Sequence, residues 1–402
     1  MKPSHVSRRD FVKTVTAAGM GSMLAGPALA QTAAPPPMPL RPFGKTGIKV
    51  PMLSLGGIFD IAANQLVLKR ALDFGVTYWD TAEVYVNGNS EKGIGIYLEK
   101  NPGLRKQLFL VSKAGGSHSP AGLDRSLNQS LERLKTDYLD LYFLHGIGGG
   151  DALSPEVKSW AEKTKAAGKI RLFGFSTHGG MERTLQAAAK LGWIDGLMLK
   201  YDFRLMQTDA MRAAIDACAN AGIGLTAMKT QGGGPLRAET EADLKLGGHF
   251  IKRGFTDKQA KVKAVWENSQ IASICSQMGS IAVLESNVAA ALDKTKLTAS
   301  DHSALRLYAG QTCTTYCAGC THLCEPALGG HVPVADVMRC LMYHRVYGDA
   351  ALAQQTFASL PAEARARLPH LDGALAQAVC PQGLPVAQLL REAHQLWNGD
   401  IG

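Results

Sequence analysis

Tyr78-Trp79-Asp80-Thr81-Ala82-Glu83-Val84-Tyr85 is the stretch on which the fold turns. An apolar run beginning at Gly75 stops at Asp80, and a tyrosine follows five residues on. Two later runs stop the same way. Leu108-Phe109-Leu110-Val111-Ser112 ends at Lys113, and Leu139-Asp140-Leu141-Tyr142-Phe143-Leu144 ends at His145. The three stops are separated by 33 and 32 residues, the length of one strand plus one crossover helix. In a parallel α/β barrel the C-terminal ends of successive strands converge on one mouth. An acid, a phenol, an amine and an imidazole would meet there.

Working outward, short apolar runs suited to buried strands lie near 52–55, 76–80, 108–112, 139–144, 170–175, 195–200, 223–228 and 271–276. Helical spacing marks Ile61–Phe74, Leu123–Leu134, Pro155–Ala167, Met181–Leu191, Thr208–Ala219 and Lys258–Gln270 between them. Eight strands alternating with helices predict a (β/α)8 TIM barrel. The segment Thr230–Phe255, with Gly232-Gly233-Gly234 and Gly247-Gly248, reads as a long mobile loop at the mouth. A lid and a tolerated surface insertion are equal readings of it.

The residues carry a resemblance. Asp80-Thr81-Ala82-x-x-Tyr85, Lys113 after Val111-Ser112, and His145 after Phe143-Leu144 resemble the catalytic set of the aldo-keto reductases. Gly44-Lys45-Thr46-Gly47-Ile48-Lys49-Val50-Pro51 resembles that family's opening hairpin, and the likeness covers about residues 40–295. It implies an oxidoreductase that reduces the carbonyl of a small molecule (aldehyde, ketone or sugar) or oxidises the matching alcohol. Tyr85 would be the acid and base, tuned by Lys113 and Asp80, with His145 orienting the carbonyl. The chemistry is consistent: a phenol with a pKa near 10 donates poorly at neutral pH, and a nearby ammonium favours its ionised form.

The resemblance also implies a nicotinamide dinucleotide, NADP or NAD, across the mouth. Ser176, Thr177, Tyr201, Lys229 and Asn287 occupy the corresponding positions. Several positions depart from the family. Lys200 stands where a glutamine is usual, and Lys229 where many members place a stacking tyrosine. No Lys or Arg falls between Lys263 and Lys294, where a 2′-phosphate would want a cation. NAD, a tightly held nucleotide and no nucleotide therefore stay open. The last would make the barrel an electron-transfer or ligand-binding scaffold.

Residues 299–402 differ in character. Cys317-x2-Cys320-x3-Cys324 and the remote Cys380-Pro381 resemble a ferredoxin-type site, implying a 4Fe-4S cluster on Cys317, Cys320, Cys324 and Cys380. Cys313 or Cys340 could replace one of these ligands. Zinc on four thiolates, disulfides and the radical-SAM spacing from Cys313 are the competing readings. His322 and His331 lie close by in sequence, and the remaining tail shows helical spacing. The reading is a small α-helical iron-sulfur domain, with a redox partner protein expected if the cluster carries electrons.

The N-terminus reads as an address. Ser7-Arg8-Arg9-Asp10-Phe11-Val12-Lys13, an apolar stretch to Gly26, and Ala28-Leu29-Ala30 resemble a twin-arginine signal with its cleavage site. That predicts a signal peptide over 1–30, a Pro-rich linker over 31–39, a barrel over 40–298 and the cysteine domain over 299–402. It also predicts passage through the twin-arginine export machinery to the periplasm. The stretch is too short and too Gly/Ala-rich for a permanent membrane span. Of the formal net charge of +9, about +3 sits in the first 30 residues, and no basic run with interleaved aromatics occurs. Nucleic-acid binding is excluded on that ground.

Overall fold

The computed structural model describes residues 37–238 and 240–397. The signal segment and most of the linker lie outside the described residues.

A hairpin of β1 (Leu40–Pro42) and β2 (Lys49–Pro51) opens the described chain. Eight strands then close a barrel: β3 (Leu53–Gly56), β4 (Tyr78–Asp80), β5 (Phe109–Ala114), β6 (Leu139–Leu144), β7 (Ile170–Thr177), β8 (Gly196–Lys200), β9 (Gly224–Met228) and β10 (Ile271–Gln277). Neighbours pair in parallel in chain order, and β10 closes on β3 through Ile274–Leu53. The connecting helices are α1 (Leu66–Asp73), α2 (Asn89–Lys100), α3 (Pro120–Leu134), α4 (Pro155–Ala166), α5 (Met181–Ala189), α6 (Asp209–Asn220), α7 (Thr240–Ile251), α8 (Asp257–Trp266) and α9 (Ile281–Leu292).

Local sequence sets the helix starts. Ser119 and Ser154 each accept a backbone N–H of the first turn and are followed by proline, and Thr256 forms a full capping box with Gln259. Strand side chains divide between two cores. Phe43, Tyr78, Phe109, Leu141 and Phe143 fill the barrel interior, while Trp79, Leu110, Tyr142 and Phe173 pack outward under the helices. Phe43 plugs the N-terminal face. A Cβ on Gly224 would lie 2.5 Å from its ring, so this strand start has no room for a side chain. The barrel's opposite face is left for chemistry.

The segment after β9 differs from its expectation. Instead of a mobile loop it contains α7, whose Leu246 and Phe250 are buried against Phe203, Phe255 and Tyr308. Gly247 and Gly248 face open space, so burial of the apolar face outweighs the modest cost of glycine in a helix. The sequence reading also passed over α2 and α9, and its first helix begins only at Leu66.

The C-terminal segment is helical: α10 (Ala299–Gln311), α11 (Thr321–Ala327), α12 (Val334–Arg345), α13 (Ala350–Ala358), α14 (Ala362–Arg367), α15 (Gly373–Ala378) and α16 (Val386–Trp397). It has its own apolar cluster, including Val337, Leu341, Phe357, Leu389 and Leu390. It also packs on the barrel mouth, and the described residues form a single compact unit. Among the described residues no helix is long and apolar enough to cross a membrane.

Candidate active site

The floor of the site is an ion pair. Lys113 and Asp80 are fully buried on adjacent strands, with Lys113 Nζ 2.6 Å from Asp80 Oδ2. Lys113 Nζ also donates to the Thr81 carbonyl at 2.8 Å and to Tyr85 Oη at 3.2 Å. Because Lys113 donates to that oxygen, the phenol's own O–H is left to point elsewhere. The Tyr85 ring meets His145 edge-on, with centroids 5.6 Å apart. All four predicted catalytic side chains therefore converge.

Electrostatics assigns their charge states. Burial raises the Asp80 carboxyl, and the Lys113 ammonium offsets part of that rise. Burial pushes the Tyr85 phenol well above its ordinary value, with Asp80 adding to the effect. The expected lowering by Lys113 is not what governs, because Asp80 compensates that charge at 2.6 Å. Tyr85 is thus a neutral proton donor near pH 7. Burial and the nearby cations Lys113 and Arg339 push His145 well below the usual imidazole range, so it too is neutral.

The turn carrying Tyr85 is held from several sides. Val86 and Asn87 have φ of 50° and 52°, a left-handed region that a β-branched residue adopts only under strain. Glu83 Oε1 accepts the Gly115 and Gly116 N–H groups at 2.6 and 2.8 Å, and Arg133 Nη1 donates to the Glu83 carbonyl at 3.0 Å. From above, Gln355 on α13 donates to the Val84 carbonyl at 2.7 Å and to Asn87 Oδ1 at 3.2 Å.

Over this floor lies a cavity of about 1080 Å³. Asp80, Tyr85 and His145 line it from the barrel, with Arg339, Tyr343 and Gln355 from the C-terminal helices. Of the residues predicted to hold a nucleotide, Lys229 and Asn287 reach this wall, and Asn287 donates to Ser276 Oγ at 3.0 Å. Ser176, Thr177 and Tyr201 do not reach it. Ser176 Oγ accepts the Gly146 N–H, Thr177 donates to the Gly179 carbonyl, and the buried Tyr201 hydroxyl accepts from Asn268. Their polar atoms are committed to holding strand ends in place.

Sequence reasoning missed other wall residues. Lys258 lines the same cavity as Ser276, Gln277 and Asn287 and adds a cation to it. It comes from the first turn of α8, ahead of the stretch in which a cation was sought. Cys275 lies on the wall next to Asp80, and burial pushes its thiol far up. His331 faces this cavity rather than the cysteines.

A second, small apolar pocket is lined by Cys317, Cys320, Cys324 and Cys380, with Leu323, Met338 and Leu384. All four predicted thiols face it, whereas Cys313 does not and Cys340 is buried in the cap core. All eight cysteines are free thiols. Among the described residues no three metal-ligating side chains converge tightly enough for a single ion. Lys200, the departure from the family's glutamine, donates to the Cys317 carbonyl and sits 4.2 Å from the Tyr316 ring centroid.

A closed parallel barrel with a buried Asp–Lys pair under a tyrosine and a histidine defines a class of barrel oxidoreductases, and comparison with known proteins agrees. The chain belongs to the aldo/keto reductase family, whose model matches residues 56–294. The aldo-keto reductase yakc of Schizosaccharomyces pombe, whose name carries NADP(+), is 33% identical over 150 residues, covering 35% of this chain and 43% of its own. Methylglyoxal reductase YeaE of Escherichia coli is 43% identical over 112 residues, covering 27% of this chain and 37% of its own. The chain thus spans less than half the length of these curated relatives. An aldo/keto reductase from Klebsiella pneumoniae, solved in complex with NADP and acetate, aligns at a TM-score of 0.55 and 27% identity, over 67% of this chain and 95% of that one.

Proposed function

We propose that this protein reduces the carbonyl group of a small molecule, or oxidises the matching alcohol, with a nicotinamide dinucleotide. The observation that carries the reading is the contact of Lys113 Nζ with both Asp80 and Tyr85 beneath the cavity. The cavity exceeds the usual size for one drug-sized ligand, leaving room for a dinucleotide beside a substrate. Ser276, Gln277, Asn287 and Lys258 would hold the nucleotide, and Lys258 supplies the cation that a 2′-phosphate wants, which favours NADP. The bound dinucleotide supplies or accepts the hydride at carbon. Neutral His145 orients the carbonyl oxygen toward Tyr85, which gives up its proton. Lys113 then stabilises the phenolate, and Asp80 keeps that cation affordable in a dry site.

The same reading includes a 4Fe-4S centre on Cys317, Cys320, Cys324 and Cys380. What supports it is that all four thiols line one apolar pocket, on the spacing of a ferredoxin-type site. Lys200 places a cation beside these thiols, where a thiolate set would need one. Because Cys317, Cys324 and Cys380 pack against the cap's apolar cluster, the centre would chiefly staple the tail. Export through the twin-arginine route to the periplasm completes the proposal and rests on the Arg8-Arg9 motif.

Tyr85→Phe tests the chemistry. Turnover of a small aldehyde with NADPH should fall about 10²- to 10⁴-fold with unchanged thermal stability. Activity within a few-fold of wild type would reject Tyr85 as the acid. Iron and acid-labile sulfide, measured on protein purified without oxygen, should each approach about four per chain. Zinc without sulfide would reject the cluster.

A further inference from the structure

The C-terminal helices bring a second set of charged and phenolic groups to the cavity that the reduction itself does not use. Lys229 follows β9 with φ of 59°, a strained conformation for a non-glycine residue. Its Nζ lies 4.4 Å from the Tyr343 ring centroid and 4.9 Å from that of Tyr347. Arg339, one turn before Tyr343 on α12, places its guanidinium 5.9 Å from the same Tyr343 ring. Arg339 spends one Nη2 donor on Asp336 at 2.7 Å, while its Nε is buried without a hydrogen-bond partner. His178 Nδ1, on the same wall, is likewise buried and unpartnered. Buried polar atoms left unmatched cost free energy unless a ligand meets them.

Cations and phenols dominate this cluster, with Asp336 and Glu325 as the carboxyls on the same wall. Burial alone would raise the Tyr343 phenol, yet the Lys229 and Arg339 cations outweigh it and lower its pKa. Burial and the same two cations push His178 well below the usual imidazole range, so it stands neutral. Asp336 is the carboxylate already paired with Arg339, and it leaves Lys229 uncompensated by any ion pair found among the described residues. A pocket with cationic and hydroxyl donors suits a compact oxyanion.

We infer that Arg339, Tyr343 and Lys229 form a recognition site for a carboxylate carried by the substrate at the end remote from its carbonyl. The inference rests on the carbonyl-reductase reading above. A dinucleotide phosphate has the same chemistry, but position favours the substrate. Arg339 and Tyr343 lie on α12, which packs on α13, whose Gln355 reaches the Tyr85 turn, and the Arg339 charge acts on both Tyr85 and His145; this puts them on the substrate side of the cavity. The polar groups suited to the nucleotide's adenine end, Lys258, Ser276 and Asn287, lie along β10 and its flanking helices. The substrate class is therefore an aldehyde or ketone that is also an acid.

The test compares 4-carboxybenzaldehyde with benzaldehyde on the full-length protein. In the wild type kcat/KM should favour the acid about tenfold or more, since a charge-assisted contact is worth that much. In Arg339→Gln the ratio should fall toward one. Tyr343→Phe, which removes only a hydroxyl, should lower it by a smaller factor and guards against misfolding of the first variant. Equal kcat/KM for the two aldehydes in the wild type overturns the inference. So does a tenfold weaker NADPH Kd in Tyr343→Phe with an unchanged aldehyde ratio, which would give the site to the nucleotide. If neither aldehyde turns over, the carbonyl-reductase reading has failed. Calorimetry then decides the site alone: Arg339-dependent binding of the acid supports it, and equal binding of both aldehydes overturns it.

Discussion

Lys113→Met isolates the energetics of the buried pair. Both partners are almost wholly inaccessible, so the substitution strands the Asp80 carboxylate in a dry interior. Removing one partner of such a pair costs about 3–5 kcal/mol. Met matches the length of the lysine stem, so little of the loss comes from a cavity. The sign with pH follows from linkage. Burial already raises Asp80 in the presence of Lys113, and without the ammonium it rises further. A carboxyl whose folded pKa lies above its unfolded value contributes stability that is present below the unfolded pKa and lost as pH rises through the folded one. The defect in Lys113→Met should therefore be largest near neutrality and should shrink on acidification. The limit is about 1.4 kcal/mol per pH unit, or about 2–3 kcal/mol between pH 7 and pH 5. Urea unfolding followed by circular dichroism at both pH values measures it. A penalty under about 1 kcal/mol, or one independent of pH, would refute the argument that Asp80 depends on Lys113 for its charge.

Two further outcomes test the scaffold. Gln355→Leu removes both contacts from α13 to the Tyr85 turn and should lower kcat about five- to tenfold, with KM and melting temperature little changed, as fits about 1 kcal/mol of lost positioning; an unchanged kcat in steady-state assays would show that the turn holds itself. Gly174→Ala would place a Cβ 1.7 Å from the Gly196 carbonyl oxygen on the neighbouring strand, and backbone cannot give way as a side chain can. It should cost about 3 kcal/mol or more, read as loss of soluble protein or a steep fall in urea midpoint.

The barrel was legible because its signal is local and repeated. Each apolar run ends in a polar residue, and the intervals match one βα unit, so Asp80, Lys113 and His145 fell on adjacent strand ends without any tertiary knowledge. The four cysteines were grouped by their likeness to a ferredoxin-type site, and they line one pocket. What sequence could not give was depth and cross-chain approach. Tyr201 sits at a strand end like the others, but its hydroxyl turns to Asn268 behind the barrel. Lys258 was overlooked because it precedes β10, and only the folding of α8 against the barrel brings it to the cavity that Asn287 also lines. The helix α7 was hidden by two glycines that cost little on an open face. Arg339, Tyr343 and Gln355 were invisible as site residues, since nothing in a helical tail announces that it will roof a cavity more than 200 residues upstream.

That roof has a consequence for when the protein becomes competent. The chain is made from its N-terminus, so Asp80, Tyr85 and Lys113 emerge from the ribosome long before Gln355 does. A barrel that folds as it is synthesised would hold its ion pair but lack the contact that braces Val84 and Asn87. It would present an open, water-filled mouth. The last brace on the Tyr85 turn is thus the last to be made, and a chain stopped short of α13 would lack it.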